Sequence, residues 1–183
     1  DRYRLKVPDK EEKEIVDVNS KEYIKEAYKT WLNLLDRETI NDIKFPKNYR
    51  ATDFAYEQAC KLVRNTKINS WEEIFENVLE WNGKRFEIMD CNYLNGLFIS
   101  ALLNECNKDT LVYEWKYEHM KLLGYRLRKG KRIIITENAR IGSVGILAEG
   151  GDVINYGEIE FYLGHNVKDG LFVNLGTIKL DMS

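Results

Sequence analysis

The chain is 183 residues long, 44% hydrophobic and 32% charged, with a formal net charge of -2. This length holds one large domain or two small ones, and the apolar content does not fit wholesale disorder. The near-neutral balance gives no bulk drive toward nucleic acid or acidic membranes, and no apolar run approaches the roughly 20 residues of a membrane-spanning helix.

No signal peptide is visible, and the chain opens at Asp1 without Met, which is compatible with a lost leader or head. Cys60, Cys91 and Cys106 are scattered and odd in number. They fit free thiols in a reducing compartment, so a cytoplasmic protein is expected. No two cysteines lie at CxxC spacing, and His119 and His165 are the only histidines. A zinc site needs about four ligands in close groups, so no metal is expected, and no cofactor motif is present. Lys, Glu, Ile, Asn and Tyr are plentiful while Gln58 is the sole glutamine. That archaeal-like composition suits a hot habitat or, equally, a low-GC coding bias.

Residues 1–18 read as a charged arm. Ser20 then opens a helix as an N-cap type residue, with Ile24, Ala27, Tyr28, Trp31, Leu34 and Leu35 at spacings of three and four. Pro46 and Lys47-Asn48 mark a loop. Thr52 is the expected cap of a second helix, whose apolar face is Phe54, Ala55, Ala59, Leu62 and Val63. Ser70-Trp71-Glu72-Glu73 is a capping-box pattern for a third, and Gly83 is its expected stop. A fourth helix is expected over 91–105. Four such stripes make a small bundle, and burial in a core explains each one. Residues 110–123 are read as a short strand or turn leading into a helix. From Tyr125 onward β signals dominate.

The last third carries a rhythm. Gly145, Gly151, Gly157, Gly164, Gly170 and Gly176 fall at intervals of six, six, seven, six and six residues. At a spacing of 19, Gly145 matches Gly164, Gly151 matches Gly170 and Gly157 matches Gly176. Val153-Ile154-Asn155 likewise matches Phe172-Val173-Asn174, and Ile134-Ile135-Thr136 is aligned one period upstream. A fixed period near 20 residues is the mark of a solenoid. The expected fold is α+β, a helical bundle over 19–120 followed by a short right-handed parallel β-solenoid over 121–183.

The segments Gly145-Ile-Leu-Ala-Glu-Gly150-Gly151-Asp-Val-Ile-Asn-Tyr-Gly157 and His165-Asn-Val-Lys-Asp-Gly170-Leu-Phe-Val-Asn-Leu-Gly176 resemble the GXGXG-type right-handed β-helix. That solenoid forms the C-terminal domain of glutamate synthase large subunits and occurs in a formylmethanofuran dehydrogenase subunit. The resemblance covers residues 124–183. It departs in its first coil, where Arg132 and Asn138 stand in the slots of Gly151 and Gly157, and only about three coils are counted. The resemblance implies a domain that holds other domains or subunits in place, and its motif brings no catalytic residues.

Side chains that could bind a ligand compete with simpler readings. Asn155 and Asn174, with Thr136 in their column, form either a polar line for a ligand or an amide ladder that satisfies turn backbone. Arg126, Arg128, Lys129, Lys131 and Arg132 put five cations into seven residues, which suits a phosphate or nucleic-acid contact or a solvated turn. No aromatic is interleaved there to stack on bases, so nucleic acid is not favoured. Asp152, Glu158 and Glu160 could form the carboxylate cluster of a carbohydrate-binding or carbohydrate-processing β-helix. A Glu160–Lys179 pair between coils is the simpler reading. His165 sits at a glycine-rich corner. Tyr113, Trp115, Tyr117, Tyr156, Phe161 and Tyr162 serve either as interface anchors or as packing between the halves. No catalytic constellation is legible. The leading expectation is a non-catalytic assembly module that self-associates or takes a protein partner through the solenoid.

Overall fold

The computed structural model describes residues 20–44, 49–79, 88–117 and 119–179. The charged arm, the Pro46 loop and Gly83 lie outside them. Helices occupy the N-terminal half: α1 (Ser20–Leu34), α2 (Arg37–Lys44), α3 (Arg50–Val63), α4 (Trp71–Asn77) and α5 (Ile88–Glu105). Eight short strands follow: β1 (Thr110–Tyr113), β2 (Lys116–Tyr117), β3 (Arg132–Ile135), β4 (Arg140–Ile146), β5 (Asp152–Asn155), β6 (Glu158–His165), β7 (Phe172–Asn174) and β8 (Thr177–Ile178).

Local chemistry explains the helices. In α1, Ile24, Ala27, Tyr28, Trp31 and Leu32 are buried, while Leu34 turns outward. Trp31 Nε1 donates to the Ala55 carbonyl at 2.7 Å, which ties α1 to α3. The short helix α2 was not expected. Asp36 Oδ1 accepts from the Thr39 amide at 2.8 Å, a cap-type bond, and Ile40 and Ile43 supply the buried face. Thr52 does not cap α3; that helix begins at Arg50, and Thr52 is buried within it while Phe54 is exposed. Ser70 does cap α4, its hydroxyl accepting from the Glu73 amide at 3.1 Å. The central element is α5, buried at every residue from Leu94 to Asn104. A helix buried on every side lies inside a core, and its few polar side chains there need partners. Asp90, fully buried near its start, is held by Lys44 at 2.6 Å and Arg37 at 2.5 Å, so α2 is fastened to α5 by charge.

The strands form two four-stranded parallel sheets, ordered β1-β3-β5-β7 and β2-β4-β6-β8. Each coil gives one strand to each, so the part from 110 to 178 is a β-solenoid of four coils. Its first coil, β1 and β2, lies in the region expected to be strand leading to helix. Residues 119–123 are not helical, and pairing starts at Thr110, upstream of the expected boundary at 121. Columns of like side chains fill the interior. Leu111, Ile133, Val153 and Phe172 stack in register on one side, and Ile141, Ile159 and Ile178 on the other. Register also corrects the upstream alignment. Ile133-Ile134-Ile135 pairs with Val153-Ile154-Asn155, so Ile135, not Thr136, precedes Asn155 in its column, and Arg132 faces Asp152 rather than Gly151. Gly145 and Gly164, one coil apart, both hold positive φ, which only glycine adopts cheaply. Gly157 and Gly176 serve differently: a Cβ on either would collide with carbonyl oxygens of the coil beneath.

Bundle and solenoid share one continuous core. The seam is a four-residue stripe on α5: Asn92, Gly96, Ser100 and Asn104, which recur on one helix face. The irregular segment after β2 lies on it. The Asn92 carbonyl accepts from the Lys121 amide at 2.8 Å. Ser100 Oγ donates to the Leu122 carbonyl at 2.7 Å and accepts from the Tyr125 amide at 3.1 Å. Asn104 donates to the Arg126 carbonyl at 3.1 Å and accepts from the Arg128 amide at 3.0 Å. Gly96 leaves room for the Lys121 carbonyl, which a Cβ would strike. At the base of the stack, Trp115 stacks on Phe75 with centroids 3.9 Å apart, and Trp71 Nε1 donates to the Thr110 carbonyl at 3.0 Å.

Because the obstruction at Gly96 is backbone, Gly96→Ala is expected to destabilise the fold by about 1–3 kcal/mol, the ordinary cost of overpacking. Urea unfolding checks this, and an unchanged midpoint would refute the seam. A second expectation concerns Asp90. Burial pushes its carboxyl up, but the hydrogen bonds and charges of Lys44 and Arg37 outweigh burial and hold it below its ordinary value. The stability it contributes is therefore full above the unfolded carboxyl value of about 3.9 and is lost as pH falls through the lower folded value. Asp90→Asn should flatten the acid limb of the stability curve measured between about pH 2 and 6. Lys44→Met, which leaves the buried carboxylate to Arg37 alone, should cost about 3–5 kcal/mol.

Candidate functional site

The basic segment is held where bundle meets solenoid. Arg126 sits at a corner with positive φ, as do Leu147 and Asn166 at the same corner of later coils. Its guanidinium lies 2.9 Å from Asp53 of α3, which also accepts from the Tyr125 hydroxyl at 2.7 Å. Arg128 lies 2.7 Å from Glu105 at the end of α5. Lys131 binds Asp109 at 3.0 Å and the carbonyls of Cys106 and Lys108. Arg132 pairs with Asp152 at 3.1 Å. Lys129 makes no ion pair among the described residues. Four of the five cations thus already face carboxylates, which does not make the uniformly positive surface that nucleic acid needs.

Arg126 and Arg128 form one wall of a cleft of about 270 Å³ between α3 and the solenoid corners. Tyr56 and Cys60 of α3 form the floor and Arg64, just past the end of that helix, the other wall, the three recurring every fourth residue, with Glu57, Lys61, Glu105 and Glu149 also lining the cleft. The floor is neutral. The Tyr56 hydroxyl accepts from Asn104 Nδ2 at 2.7 Å, and burial pushes this phenol well above its usual range. Burial also pushes the Cys60 thiol up to about 11; Glu105 adds to this, while Tyr56 and Arg128 oppose it. Burial works against the charges of Arg126 and Arg128, yet neighbouring Asp53 and Glu105 help to keep them raised. The α3 side of the cleft was missed from sequence. Its only trace was the four-residue spacing of Tyr56, Cys60 and Arg64.

The carboxylates are spent between coils. Asp152 takes Arg132 and also accepts from the Leu171 amide at 3.2 Å. Lys179 reaches Glu158 at 2.7 Å rather than Glu160, which corrects the expected pair. Arg140 lies on the other side of Glu158 at 3.9 Å. Glu160 instead meets His119 at 3.2 Å. Asp152 belongs to one sheet and Glu158 and Glu160 to the other, so the three are not drawn from a single strand face. Asn155 is fully buried. It donates to Asn174 Oδ1 at 2.7 Å and accepts from the Gly157 amide at 3.0 Å, an amide ladder that fixes the corner. His165 is exposed beside Tyr162, with ring centroids 5.5 Å apart.

The aromatics divide. Tyr113 and Trp115 pack against Phe75 of α4 and so join the halves. Phe161 lies 4.4 Å beneath the Lys121 ammonium. Tyr156 and Tyr162 are exposed. Beyond them, the last coil stands open. Strands β7 and β8 are each paired on one side only among the described residues, and Leu171 and Leu175 are 56% and 64% exposed. Among the described residues no group of three or more His, Cys, Asp or Glu side chains is placed to hold a metal ion, and no helix is long and apolar enough to cross a membrane.

No protein-family model, curated protein or solved structure matches this chain.

The raised Cys60 thiol is a poor nucleophile at neutral pH, and Cys91 and Cys106 are buried as well. Iodoacetamide at pH 7.5 should therefore leave the native protein unmodified and label all three cysteines in urea. Rapid native labelling at Cys60 would show that the cleft holds an activated thiol.

Proposed function

We propose that this protein is a non-catalytic assembly module that takes another protein chain on the open end of its solenoid. The observation that carries this reading is the asymmetry of the stack. One end is covered by α4 and α5, whereas the other, among the described residues, presents two strand edges beside the exposed Leu171 and Leu175. An unpaired strand edge is a template for a further strand, supplied by a second copy or by a partner subunit. The likeness of the glycine segments to GXGXG β-helix domains, which hold other domains in place, supports the same reading. The carboxylates offered for carbohydrate chemistry are engaged in pairs between coils, which favours the assembly reading over that alternative.

The test is native mass spectrometry on untagged protein isolated gently at low salt, paired with light scattering at high concentration. The expected result is a defined oligomer or a stoichiometric protein partner. Leu171→Lys combined with Leu175→Lys should abolish it while changing stability by no more than about 0.5 kcal/mol, as for other exposed positions. A strict monomer without a partner would overturn the proposal.

A further inference from the structure

We propose that the cleft between α3 and the solenoid corners binds a small oxyanion, the phosphate or carboxylate group of a small molecule. The inference is independent of the open end. It rests on the balance of donors and acceptors around one concavity.

Arg64, Arg126 and Arg128 converge on it from two distant parts of the chain, and Lys61 adds an ammonium. A guanidinium has five N–H donors, and a single carboxylate engages two at most. Arg128, held by Glu105, therefore keeps at least three donors, and Arg126, engaged by both Asp53 and Tyr125, keeps at least two. Arg64 makes no hydrogen bond or ion pair among the described residues. Of the three lining carboxylates, Glu105 is spent on Arg128 and Glu149 on Lys168 at 2.9 Å, while the exposed Glu57 makes no ion pair among the described residues. Four cations thus line the cleft against one unspent carboxylate, a balance that favours an anion over a cation. The carboxylates Asp53 and Glu105 act as positioning groups, fixing two guanidinium planes before any ligand arrives. A phosphate or carboxylate can then be gripped by planar forks from both walls. The neutral floor of Tyr56 and Cys60 adds no opposing charge.

The experiment is a ¹H–¹⁵N NMR titration of the full chain with inorganic phosphate, ionic strength held constant with sodium chloride. Saturable shifts are expected at the amides around Arg64, Arg126 and Arg128. Arg64→Gln, at an exposed helix end, should weaken the apparent affinity about tenfold, the scale of one lost charge-assisted hydrogen bond. Arg126→Gln should do the same. Lys129→Gln, which removes a cation from the same corner outside the cleft, should leave binding unchanged. Glycerol phosphate and succinate then distinguish a phosphate ester from a dicarboxylate by which binds more tightly. Shifts that never saturate, that chloride reproduces, or that Lys129→Gln weakens as much as Arg64→Gln would overturn the proposal.

Discussion

The solenoid is built on α5, and the contact between them constrains everything else. Between β2 and β3 the chain leaves the regular ladder, and its amides and carbonyls need partners. Buried without them, each would cost about 1–3 kcal/mol. Asn92, Gly96, Ser100 and Asn104 meet that segment group by group, two through side-chain bonds, one through its carbonyl, and one by having no side chain. The same helix is the centre of the bundle. Its burial on every side follows from serving both halves at once.

Charge is arranged by the same stacking. Along the outside, opposite signs face each other from coil to coil: Arg132 with Asp152, Arg140 with Glu158, Lys168 with Glu149. Such exposed pairs contribute little stability individually. Their value lies in register, because a slipped strand would part the partners. The buried Asp90 differs, since without Lys44 and Arg37 its charge would have no compensation.

Much of the architecture was legible in the residues. Phe172-Val173-Asn174 lies in register on Val153-Ile154-Asn155, as the spacing of 19 implied, and Ser70 caps its helix. The first coil was hidden for a physical reason. It rests on α4 and α5, so aromatic side chains such as Tyr113 and Trp115 fill places that later coils give to smaller or polar ones. The upstream register slipped because the turn at 136–139 between β3 and β4 is longer than the turn at 156–157. In the cleft, the cations were visible but their partners were not. Asp53 and Glu105 lie far away in sequence, and only the fold brings them to Arg126 and Arg128.

The uneven wrapping of the stack also gives the molecule a direction in time. Ile133, Ile141, Val153 and Ile159 are sealed in the middle coils, whereas Phe172 and Ile178 in the last coil are only partly covered. In a one-dimensional array each layer is secured chiefly by its neighbours. Among the described residues the last layer has one neighbour, and the first has a helical platform. The tip is therefore the layer with the least to hold it, and thermal opening starts there.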